Sequence, residues 1–152
     1  MTDPVSLQST TPRLGLPLLH VGQAQKEVTV NEALLRADAL LQPAVEGELA
    51  APPPSAEDGQ AWIVAAGAGG AWTGHDGSLA YRSAGTWLFT APFDGLTVMD
   101  KTAGQAARFD GAWMRATTPA APSGGDTVDA EARTAIAELV SILVASGVLA
   151  AG

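Results

Sequence analysis

Residues 14–41 read LGLPLLHVGQAQKEVTVNEALLRADALL. The stretch opens as an extended, leucine-rich segment broken by Gly15 and Pro17 and then becomes helical in pattern. Ala24, Val28, Ala33, Leu34, Ala37, Leu40 and Leu41 recur near 3.6-residue spacing, with Gln25, Lys26, Glu32, Arg36 and Asp38 on the other face. This spacing predicts a helix from about residue 22 to 41, ended by Pro43. Arg36 stands four residues after Glu32, the spacing of an intrahelical ion pair. Val28-Thr29-Val30 is the weak point, because three β-branched side chains in a row lose rotamer freedom in a helix.

Outward from this stretch the character changes several times. Residues 1–13 form a Thr-, Ser- and Pro-rich extended arm, and residues 14–49 hold the extended segment and the helix. The run Ala51-Pro52-Pro53-Pro54-Ser55 marks an expected boundary, since consecutive prolines join neither a helix nor a central strand. Residues 59–115 are rich in Gly and Trp, with β-prone pieces at 61–65, 78–82, 86–90, 96–99, 106–109 and 112–115. They predict a small antiparallel β domain. Gly-x-Trp recurs at 70–72, 85–87 and 111–113, and AYRSAGTWLF and AARFDGAWMR both read as strand, tight turn, strand. Residues 116–125, ATTPAAPSGG, are a linker. Within residues 126–152 a last helix is expected from about 128 to 146, capped by Asp126, Thr127 or Asp129 and stopped by Gly147. The fold class is α+β.

Composition narrows the function. The chain has 152 residues, a net charge of −8 and no cysteine. The charge argues against nucleic acid, whose binding needs cations to replace counterions, and against an anionic membrane surface. The start of the chain lacks the pattern of a signal peptide. The longest apolar stretch, near the C-terminus, is interrupted by Glu138, Ser141 and Ser146 and does not read as a membrane span. His20 and His75 lie far apart, with no metal-ligand spacing and no nucleophile elbow around them. The glycines of residues 65–70 lack the Lys-Ser/Thr of a phosphate loop. No enzyme is expected, and no catalytic, cofactor or metal residue is assigned. The core is thin, because alanine makes up much of the 47% hydrophobic content, so stability is expected to depend on association.

Three groups of residues are candidates for binding. Ala132, Ile136, Leu139 and Leu143 follow the four-three-four spacing of a coiled-coil seam and, with Val28 and Leu34, form an expected oligomer interface. Gln23, Gln25, Lys26, Asn31 and Glu32 form a polar cluster around the helix start, able to bind the helix and the arm to each other or to a neighbouring subunit, and read as an assembly contact. Trp72, Tyr81, Trp87 and Trp113 are candidates for stacking on sugar rings, with Trp72 expected to be the most exposed. Core packing is the favoured alternative for these rings, since indole buries more area than any other side chain.

The PRLGLPLL segment, the QAQKEVTVNEALLRAD helix and the later pattern through Trp62, Trp72, Trp87 and Pro92 resemble a family of phage and phage-like virion proteins. In that family a QxQKxVTxNEAL helix opens a small domain of tail fibres and of the surface fibres or spikes of gene transfer agents. The resemblance covers most of residues 12–116. It implies a virion surface protein, a component or base of a tail fibre or head spike. Such a protein is made in the bacterial cytoplasm, contacts other virion proteins and helps the particle attach to host-surface polysaccharide. It transfers no catalytic residue. A closed homo-oligomer is expected, a trimer before a pentamer. The alternatives are a stand-alone carbohydrate-binding module and, further off, a small glycan hydrolase.

Overall fold

The structure is a computed structural model and describes residues 10–19, 26–125 and 128–150. In chain order it contains α1 (Lys26–Leu40), β1 (Ala44–Val45), β2 (Glu48–Leu49), β3 (Ala61–Val64), β4 (Leu79–Ser83), β5 (Thr86–Thr90), β6 (Thr97–Asp100), β7 (Gln105–Phe109), β8 (Trp113–Arg115) and α2 (Ala130–Ala145). The fold is α+β. The six strands of residues 59–115, joined by β1 and β2 from before the proline run, sort into two four-stranded sheets, ordered β2-β3-β4-β5 and β1-β6-β7-β8. The chain divides accordingly into two compact units, Met1–Pro43 with Glu48–Ala91, and Ala44–Gly47 with Pro92–Gly152. The proline run therefore lies inside the first unit and separates nothing. Close by it, the Gly69 N–H donates to the Ala50 carbonyl at 2.9 Å.

In the first unit the central strands are covered on both faces, and every position of β3 is buried. One face carries Trp62, Val64 and Ala80, closed over by Trp72. Trp72 arrives on the excursion between β3 and β4, in a short 3-10 turn at Gly70–Trp72. Its ring lies 6.3 Å from that of Trp62 and 5.1 Å, edge to face, from that of Trp87. The excursion is pinned at its base. The Asp76 carboxylate accepts the Gly67 and Ala68 N–H groups at 2.8 and 3.0 Å, and His75 stacks on Phe89 with centroids 3.6 Å apart. Those amide bonds also hold the Asp76 carboxyl below its ordinary range. The expectation that Trp72 is exposed is thus corrected: it has no accessible surface. The neighbouring glycines bend the chain so that the indole turns inward. The other face of the sheet carries Tyr81, whose hydroxyl donates to Asp38 of α1.

The second unit is one-sided. In β6, Val98 and Asp100 are buried while Thr97 and Met99 are exposed, the alternation of an antiparallel sheet with one solvated face. α2 starts at Asp129, whose carboxylate accepts the Ala132 N–H at 2.9 Å. It ends in a Schellman motif, with Gly147 at φ 72° and the N–H groups of Gly147 and Val148 donating to the carbonyls of Val144 and Leu143, both at 3.0 Å. The tail then fastens the helix to the sheet. The Gly147 carbonyl accepts the Ala106 N–H at 2.8 Å, and Leu149 is buried.

The two sheets share one plan. Each begins with a two-residue strand parallel to the first strand of a three-stranded meander. Asp58-Gly59 precedes one meander and Asp94-Gly95 the other, with the glycines at φ 92° and 91°. The Gly59 N–H reaches the Arg82 carbonyl at 2.8 Å, and the Gly95 N–H reaches that of Phe109 at 2.9 Å. The return bonds, Arg82 to Gln60 and Phe109 to Leu96, are both 2.8 Å. Arg82 pairs with Trp87 and Phe109 with Trp113. Asp58 accepts the amides of Ala84 and Gly85 at the first hairpin tip, and Asp94 accepts that of Gly111 at the second. The Gly-x-Trp echo in the sequence is the visible part of this duplication.

Candidate functional site

The most elaborate polar site joins the N-terminal arm to the end of α1. An acidic residue in the last turn of a helix faces the negative end of the helix dipole and needs outside donors. Asp38 occupies that place, fully buried. Its carboxylate accepts the Thr11 hydroxyl at 2.8 Å, the Leu14 amide at 2.7 Å, the Arg13 amide at 3.1 Å and the Tyr81 hydroxyl. Burial opposes its ionisation, but the bonds from Tyr81, Thr11, Leu14 and Arg13 outweigh that effect and hold the carboxyl below its ordinary range. Burial, and next the Asp38 carboxylate, push the Tyr81 phenol well above its own.

The Arg13 guanidinium completes the clamp. It donates to the carbonyls of Asp38 and Ala39, which the helix C-terminus leaves open, and to those of Leu41 and Gln42 just beyond it. Nearer the start of α1, the Asn31 side chain grips the Leu19 backbone through both its N–H (2.8 Å) and its carbonyl (3.0 Å). The PRLGLPLL segment and the helix motif are therefore two halves of one intrachain fastening.

Of the polar cluster, this places Asn31 between the helix and the arm. Asn31 serves the arm of its own chain, and Glu32 takes Arg36 at 2.7 Å. Lys26 is exposed, while Gln23 and Gln25 lie outside the described residues. Of the proposed interface on α1, Val28 is 69% exposed and Leu34 is half-buried. The clamp residues Thr11, Arg13 and Asp38 escaped the sequence reading, which placed Asp38 on the solvent face. Its position against the helix dipole was the available signal.

The sugar-stacking candidates do not form one platform. Trp72 and Tyr81 are buried, on opposite faces of the first sheet. Trp87 is half-buried between Trp62, Trp72 and the Arg82 guanidinium. Trp113 belongs to the second unit and lies edge to face with Phe109 at 5.4 Å. The core reading describes Trp62 and Trp72.

α2 presents a different surface. None of its 16 residues is buried. One flank, with Arg133, Ile136, Ala137 and Val140, faces linker residues 118–122 across a groove of about 370 Å³, and Arg133 donates to the carbonyls of Pro122 and Gly124. The predicted seam is therefore split, since Ile136 turns toward the linker and Leu143 is half-buried. The open stripe is Ala132, Ala135, Leu139 and Ile142, with Leu139 56% and Ile142 64% exposed.

Among the described residues, no group of three or more His, Asp or Glu side chains is placed to hold a metal ion, and no helix is long and apolar enough to cross a membrane. His20 lies outside the described residues. The family described as protein of unknown function DUF2793 matches residues 30–115, more than half of the sequence, from within α1 to the end of β8. The chain belongs to this family. The family region contains both sheets and the Asp38 end of the clamp, and it stops before α2. No curated protein matches the chain.

Proposed function

We propose that the protein is a non-enzymatic structural component of a phage or gene-transfer-agent particle, part or base of a tail fibre or head spike. It works there as a homo-oligomer built through α2. The observation that carries this reading is the open Ala132-Ala135-Leu139-Ile142 stripe. It keeps the three-four-three spacing of a helical seam, and burying it against copies of itself removes large apolar side chains from water. The likeness of the arm and α1 motif to virion proteins supplies the setting. In this reading α1 and the arm are a rigid fastening, the sheets are the body and α2 is the assembly element. Contact with host polysaccharide falls to the second unit, where Phe93 is 58% exposed.

The test is the mass of the full chain in solution by light scattering, beside Leu139→Asp. An oligomer that dissociates on the substitution supports the reading. A full chain that is monomeric at all concentrations, or an oligomer indifferent to Leu139→Asp, overturns it. Detection of the protein on purified particles by immunogold labelling tests the setting separately.

A further inference from the structure

β5 ends its sheet, and no second strand lies beside it among the described residues. Edge strands expose unpaired N–H and C=O groups, and proteins ordinarily blunt them with lysine, proline or a bulge. β5, Thr86-Trp87-Leu88-Phe89-Thr90, has none of these. Its pairing with β4 shows which groups are free. The hairpin closes through Ser83↔Thr86 across a two-residue turn, with Ala84 and Gly85 at φ 48° and 72°. Ladder bonds alternate along an antiparallel pair, so Thr86, Leu88 and Thr90 spend theirs on β4. The neighbouring strand obeys the same phase, since the Arg82 amide and carbonyl turn the other way, to Gln60 and Gly59 of the β3 side. Trp87 and Phe89 therefore direct their backbone groups outward.

The strand is also close to a palindrome about Leu88. We propose that β5 pairs antiparallel with β5 of a second copy, on a twofold axis at Leu88, joining two first sheets into one continuous sheet. In that register Trp87 faces Phe89 of the second copy, and the pair exchanges the very N–H and C=O groups left free. Thr86 faces Thr90 and Leu88 faces Leu88, so the cross-strand partners are aromatic–aromatic, Thr–Thr and Leu–Leu, all favourable. A one-residue slip would lose both the aromatic pairs and the bonding phase. No charge lies on the strand, so the net −8 places no like charges opposite each other within the pairing itself. The half-buried Trp87 and Phe89 would become the centre of a shared aromatic layer. The contact is isologous and does not involve α2.

The chain has no cysteine, which makes the test direct. Facing residues of a non-hydrogen-bonded antiparallel pair have Cα atoms about 4.5 Å apart, within disulfide reach. The full chain carrying Leu88→Cys is oxidised and run without reductant beside Thr97→Cys, an exposed strand position off the axis. Conversion of Leu88→Cys to a linked dimer, faster than Thr97→Cys, is expected. A rate no greater than that of Thr97→Cys overturns the proposal. A second measurement keeps the outcome clear should Leu88→Cys fold poorly. Thr86→Cys and Thr90→Cys should each stay unlinked alone and link when mixed, and absence of linking in the mixture rejects the register. Repeating the assay with Leu139→Asp added separates this contact from helix-driven assembly: the cross-link should persist, and its loss would mean that the strands do not pair by themselves.

Discussion

The two sheets follow one plan and reach different states of burial, and the difference lies on the face that the arm and α1 cover in one of them. Between β6 and β7 the chain turns within residues 101–104; between β3 and β4 it takes residues 65–78. The longer excursion carries Trp72 back over Trp62, Val64 and Ala80 and gives the first sheet a core on that face. The Asp38 clamp attaches α1 and the arm on the Tyr81 face. In the shared plan the Tyr81 face, with Ile63 and Leu88, corresponds to the face of the second sheet that carries Met99 and Met114, which are 42% and 48% exposed. One duplicated meander thus becomes a doubly covered sheet where the arm and α1 are fastened to it and a half-solvated one where they are not. Burial on both faces is a property of what the rest of the chain brings, and the strands alone do not set it.

The largest effect on this comparison is expected from removing Trp72, which closes the other face of the first sheet. Trp72→Ala deletes a wholly buried indole, a change that costs about 3–5 kcal/mol in well-packed cores. Chemical denaturation followed by tryptophan emission should show the first unit, which holds Trp62 and Trp87, unfolding at much lower denaturant. Hydrogen exchange of β6–β8 amides should change little. Equal loss of protection in both sheets would show that the core under Trp72 does not belong to the first unit alone.

Much of the strand pattern could be read directly. The six β-prone pieces coincide with β3–β8 to within a residue or two, because alternation and Gly-bearing turns are local signals. β1 and β2 could not be read: two residues carry no periodicity, and parallel partners distant in sequence define them. The clamp was hidden for a related reason. Asp38 looks like one more charge on a helix until Thr11, Arg13 and Tyr81 converge on it through space. The duplication was half legible. The Gly-x-Trp echo was visible, while the Asp58-Gly59 and Asp94-Gly95 openings, which fix the registers, look like ordinary turns.

The clamp sharpens the comparison through pH, because it exists in the first unit only. Its folded carboxyl is held below the unfolded value, so its contribution is present above the ordinary aspartate range and fades as pH falls below about 4. Protonation would weaken the acceptor for Thr11, Tyr81 and the two amides. A Trp113→Phe chain reports only the first unit by fluorescence, and its emission should shift on acidification at higher pH than the β6–β8 amides lose protection. Asp38→Ala should abolish that difference and cost roughly 2–3 kcal/mol at neutral pH, since several buried donors lose their acceptor. A variant as stable as the parent would mean that the arm is held by other contacts.

The smallest effect tests the shared plan itself. Ala84 holds φ 48°, a left-handed conformation that costs a non-glycine residue about 1 kcal/mol, and the Asp58 carboxylate accepts its N–H at 2.9 Å. At the second tip Gly111 takes the positive φ without that cost, and Asp94 accepts its N–H at 3.2 Å. If the two aspartates are equivalent closures, Asp58→Ala and Asp94→Ala should each lower the stability of their own unit, by about 1 kcal/mol for Asp58 and somewhat less for Asp94. The asymmetry has a cause that can be removed. Ala84→Gly relieves the strained position, so in that background the cost of Asp58→Ala should fall toward that of Asp94→Ala. Urea midpoints of the single and double variants measure this directly. An Asp58→Ala cost unchanged by Ala84→Gly would show that the first tip is not held against backbone strain, and the difference between the two hairpins would need another source.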